Sequence, residues 1–175
     1  MKNTEELPED LLGDIIPEID PKKLFDEKEY ATLIIGSEGM SKKDTNNADL
    51  LTLLISSKST REDKDTALIQ LKDNKAQDFI MSAIIKTKKL DHKALLISAC
   101  WETGLDFSKH FQTFIDLVGH ENFAVSLEAF TVIQEMETEI EPDLLKKALL
   151  TLNKVKQPTI SVSDAIELIN QRLNA

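Results

Sequence analysis

DHKALLISA, residues 91–99, and ENFAVSLEA, residues 121–129, are the two segments whose reading decides the fold. Each opens on an acid, runs through apolar residues and reaches an alanine at the same offset, Ala99 in one and Ala129 in the other. A small residue at a matched place in two helices marks a close approach, where tight packing leaves no room for a larger side chain. Working outward, Ala67 and Ala165 extend the series, with spacings of 32, 30 and 36 residues. A partner segment precedes each alanine. These read Leu50-Leu51 with Leu54-Ile55, Phe79-Ile80 with Ala83-Ile84, Phe111 with Phe114-Ile115, and Leu144-Leu145 with Ala148-Leu149. Apolar doublets four residues apart form one stripe of an α-helix. A two-helix unit recurring at this period is the mark of a helical solenoid.

Local punctuation places the elements. Asp20-Pro21 predicts the start of a helix over 21–35, closed by Gly36. Residues 37–46 read as a polar loop, and Asn47 as the cap of a helix running to about Ser57. Ser59 with Glu62 has capping-box spacing and opens a helix to about Leu71. Further helices are expected over 75–88, from Asp91 to Gly104, from Asp106 to Gly119, from Glu121 to Met136, from Pro142 to about Lys154, and from Ser161 to the end. Eight helices follow residue 47, and they fall into four pairs.

The segments 91–99 and 121–129 resemble second helices of the HEAT/armadillo superfamily, and the resemblance covers about residues 47–175. It departs from the family where an early arginine of the second helix is expected, Lys93 being the nearest base. The resemblance implies an all-α, right-handed α-solenoid of about four antiparallel helix pairs, with second helices lining the concave side. An irregular all-α bundle needs the same amphipathic helices, and it is the period that favours the stack. Residues 1–46 read as an acidic arm whose helix at 21–35 caps the stack, with 1–18 open between part of that cap and an acidic-amphipathic segment that folds on a partner, and 47–175 as the repeat domain.

Composition narrows the class. With 5 Gly, 5 Pro and few aromatics, the chain favours long helices. The net charge is −10, from 31 acidic and 21 basic residues. Residues 1–20 carry seven acids and one base, so −6 belongs to the arm and −4 to everything else. An acidic surface repels phosphate backbones, and no nucleic-acid partner is expected. Lys22-Lys23, Lys42-Lys43, Lys86–Lys89 and Lys146-Lys147 are not interleaved with aromatics. No apolar stretch is long enough for a signal core or a membrane span, so a cytoplasmic protein is expected.

The chemistry-bearing residues do not assemble into a motif. His92, His110 and His120 lack metal-ligand spacing, and Cys100 is flanked by Ala99 and Trp101 with no base. Gly36-Ser-Glu-Gly39 lacks the lysine of a phosphate loop. No metal or cofactor is expected.

What the repeat does offer is a face. Taking the alanines as buried anchors, the residue before each and those three and seven further on form one stripe. It comprises Glu128, Thr131 and Glu135 in the third pair, and Asp164, Glu167 and Gln171 in the fourth. In the second pair it comprises Ser98, Trp101 and Leu105, and in the first Thr66, Ile69 and Asp73. A tryptophan among acids suits a peptide anchor, whereas the same tryptophan in the seam between repeats is core. The expected function is a non-catalytic interaction or scaffold module. It would bind a protein or peptide through Trp101, Ser98, Glu128, Thr131, Glu135, Asp164 and Glu167. The alternatives are a HEAT-like enzyme or accessory factor, of lyase, chaperone or base-excision type, and a self-associating structural protein. The oligomeric state stays open.

Overall fold

Ser41 begins the described chain as a helix cap, its hydroxyl accepting from the Asp44 backbone N–H at 3.2 Å. The computed structural model describes residues 41–174. The arm over 1–18, the helix expected at 21–35 and the glycine loop at 36–39 lie outside those residues. The described residues are all helical, with no strand. They form α1 (Lys42–Ile55), α2 (Arg61–Asp73), α3 (Gln77–Lys86), α4 (Leu90–Glu102), α5 (Phe111–Val118), α6 (Phe123–Gln134), α7 (Pro142–Leu152) and α8 (Ile160–Leu173). A single 3-10 turn, Ser108–His110, leads into α5.

Several caps differ from expectation, each for a local reason. α1 starts at Lys42, so Asn47 is not its cap and residues 42–46 are helix. Asn47 is buried mid-helix, where its Oδ1 accepts from Asn74 Nδ2 at 2.7 Å. The capping box of α2 is Thr60 with Asp63, one residue beyond Ser59 and Glu62: Thr60 Oγ1 accepts from the Asp63 N–H, and Asp63 Oδ2 accepts from the Thr60 N–H at 2.9 Å. Lys89, not Asp91, precedes α4, leaving Asp91 in the first turn beside the positive end of the helix dipole. Asn122 caps α6 in place of Glu121, accepting from the Val125 N–H. Thr159 precedes α8, and Ser161 is buried inside it. Gly104 closes α4 at φ +60°, the left-handed conformation that glycine adopts without strain. Lys75 does the same for α2 at φ +50°.

Helix contacts run within the expected pairs, α1 with α2, α3 with α4, α5 with α6 and α7 with α8. Between pairs, α4 packs on α6, α6 on α8, and α5 on α7. The first pair breaks the pattern, because α1 and not α2 packs on α4. The row of neighbouring helices is therefore α1, α4, α6, α8, with α2 leaning mainly on α1. Ala67, Ala99, Ala129 and Ala165 are all buried, as anchors should be, yet Ala67 sits on the helix outside the row. Only Ala67 and Leu71 of α2 are buried, against six residues of α1.

The densest packing surrounds α5. Phe107, Phe111 and Phe114 are fully enclosed, and Phe107 meets Phe114 edge-on with ring centroids 6.0 Å apart. One buried hydroxyl ties three helix ends together. Ser126 of α6 donates to the Val118 carbonyl at 2.7 Å, and its oxygen lies 3.0 Å from Thr159 Oγ1 before α8. Such a group costs stability unless bonded, and here it is.

Candidate interaction face

Trp101 stands on the last turn of α4 with 38% of its surface exposed. Its indole N–H donates to Glu128 Oε2 of α6 at 2.9 Å. The contact spans two helices of consecutive pairs, so the ring is held in place although it is not enclosed. The packing of α4 on α6 brings the two residues together, and Ala99 and Ala129, one turn or less away, permit that approach. Leu105 lines the same recess as Trp101, whereas Ile69 is exposed on α2, whose main contact is with α1.

The other stripe residues divide into two groups. Ser98 and Thr131 are half-buried, and their hydroxyls donate to carbonyls of their own helices, Leu95 and Leu127. Glu135, Asp164 and Glu167 are exposed. Glu135 follows the last turn of α6, close to Trp101. Asp164 and Glu167 lie one helix further along the row, on α8, where Glu167 accepts from Gln171 Nε2. Exposed apolar residues interrupt the same helices, namely Leu95, Phe123, Leu127 and Ile160.

A recess of about 270 Å³ opens beside Trp101, between the loop after α4 and the loop after α6. Its walls include Gly104, Leu105 and Met136, and its acids are Asp106, Glu135 and Glu137. The Ser108 backbone N–H, 2.8 Å from Asp106 Oδ1, holds the Asp106 carboxyl below the usual carboxylate range, helped by the hydroxyls of Ser108 and Thr138. The carboxylate is thus fixed in its charged form at neutral pH. The neighbouring segment 135–141 alternates, with Met136 and Ile140 buried and Glu135, Glu137, Glu139 and Glu141 exposed.

Arg172 is the residue that the sequence reading missed. From α8 its guanidinium donates to the carbonyls of Ile133, Gln134 and Met136 at 3.0, 3.3 and 3.1 Å. It thereby caps the negative end of α6 from the next pair. Its only sequence signal is that it is the sole base of its helix.

His110, His120 and Cys100 sit in structural settings. His110 Nε2 lies 3.0 Å from Asp78 Oδ1, joining the 3-10 turn to α3. His120 Nδ1 accepts from the Asn122 N–H. No group of metal-ligating residues occurs among the described residues. Cys100 is 1% exposed, and burial pushes its thiol well above the ordinary range. A thiol reagent should therefore react with folded protein at least about a hundredfold more slowly than with urea-unfolded protein, since reaction waits on local opening. Equal rates in the two states, followed by mass shift, would contradict this burial.

No helix of the described residues is long and apolar enough to cross a membrane. No protein-family model, curated protein or solved structure matches the chain.

Proposed function

We propose that the chain is a non-catalytic interaction module that binds a protein or peptide segment along α4, α6 and α8. In this reading the helix pairs form a right-handed stack of the HEAT/armadillo kind, with that row as its concave side. The principal helix contacts, which run within each pair and to its successor, support the stack. The observation that carries the binding reading is the half-exposed Trp101, pinned by Glu128. A rigid aromatic held in advance loses little freedom on docking, which is what makes such residues anchors.

The test is a photo-crosslinking amino acid placed at Leu127 on this face, and separately at Leu150, exposed on α7. Expressed in cells, the Leu127 probe should give a discrete adduct. Trp101→Ala in the same chain should reduce it at least about tenfold, the scale of an interface anchor. An adduct formed equally from Leu150, or unmoved by Trp101→Ala, would overturn the assignment of the face.

A further inference from the structure

The recess beside Trp101 has a charge and a shape that name its occupant. We infer that it receives a cationic side chain, arginine or lysine, from an apolar-flanked segment of the partner. This rests on the docking reading above and adds the partner's chemistry to it.

Four observations converge on it. The first is charge: Asp106, Glu135 and Glu137 line the recess and Glu128 holds the adjacent indole, while Asp106 is kept ionised by its hydrogen bonds. The second is backbone polarity. The negative end of α4, which ends at Glu102, borders the recess, whereas the end of α6 is already met by the Arg172 guanidinium. The third is a cation already drawn to the lip: the Lys72 ammonium of α2 reaches over Gly104, 3.5 Å from where a side-chain carbon on that glycine would stand. The fourth is the wall. Leu105, Met136 and the Trp101 ring offer an apolar path for a long stem, with the indole face able to stack on a guanidinium.

Three bases stand near but none is among the lining residues: Lys72 at the Gly104 lip, Lys109, which acts on Asp106 from outside, and Arg172, which is turned into the α6 carbonyls. At about 270 Å³ the recess fits one side chain rather than a whole small-molecule ligand. Leu95 and Leu127, exposed on α4 and α6, would meet apolar residues flanking the cation. Acids on α6 and α8 would steer a basic segment in and lower its off-axis alternatives.

Trp101 is the only tryptophan, so its emission reads this site alone. The probes are acetyl-Leu-Ala-Arg-Ala-Leu-amide and its counterparts with citrulline or glutamate in place of arginine. Citrulline keeps the shape and removes the charge. The arginine peptide should give a saturable change in emission. Citrulline should weaken it at least tenfold, glutamate should abolish it, and the double variant Glu135→Gln, Glu137→Gln should weaken the arginine peptide by a similar factor. Both substituted positions are exposed, and circular dichroism will confirm that the variant is folded. No saturable change with the arginine peptide, citrulline binding as well as arginine, or indifference to the double variant would each overturn the inference. Adducts at Leu127 that persist without any arginine preference would defeat the inference and leave the docking reading standing. Arginine-selective binding with no adduct at Leu127 would do the reverse.

Discussion

Phe114→Ala should lower the unfolding free energy by about 3–5 kcal/mol, read as a shift in the urea midpoint at constant slope. Phe114 has no exposed surface and stands edge-on to Phe107 at 6.0 Å. Truncation removes the apolar transfer energy of the ring and leaves a cavity whose neighbours, Phe111 and Ile115, are fixed on the same short helix. That helix has eight residues and no side-chain cap at its start, so it cannot persist on local propensity. It is held by α6 and α7, which pack on it. A loss of this size is a large part of a typical domain's 5–15 kcal/mol. Asp116→Ala, exposed on the same helix, is the control and should change stability by less than about 0.5 kcal/mol. If both variants unfold at the same urea concentration, the packing around α5 is not as described.

Arg172→Met should lower stability by about 2 kcal/mol and should release α8 before the rest of the chain. The methionine keeps an apolar stem of similar reach and removes the charged donor. Three carbonyls at or just past the end of α6 then lose a charged donor, and a cation is withdrawn from the negative end of that helix. Burial alone lowers the Arg172 pKa, but a guanidinium stays charged throughout the working range, so no pH dependence accompanies the loss. Hydrogen exchange should quicken over α8 more than over α4. Uniform quickening, or none, would show that the contact does not join the last pair to the third.

The number of helices and the pairing of neighbours were readable because amphipathic stripes and caps are local signals. Boundaries were less so. Ser41 and Asp44 had capping spacing, but the polar run to Asn46 looked like a loop, since a first helical turn facing solvent carries no apolar residue to mark it. The period of the alanines likewise could not say which helix of the first pair faces the row. Ala67 is as buried as its counterparts, and only the packing of α1 on α4 shows that its helix lies outside. Trp101 was legible as a candidate and ambiguous in setting. What settles its setting is Glu128, distant in sequence and brought close by tertiary packing. The recess was not legible at all. It is made by two loops, after α4 and after α6, that share no local signal.

The buried Ser126 hydroxyl has a consequence for the assembly of the pairs. Apolar helix faces tolerate sliding by a turn, because one leucine replaces another at little cost. Ser126 does not, since it must find the Val118 carbonyl on one side and Thr159 on the other. Arg172 with the end of α6 is another such matched contact between pairs, of a different chemical kind. The pairs are therefore keyed and not interchangeable: a chain with its pairs permuted, or one duplicated, would present a polar group to a seam that cannot answer it.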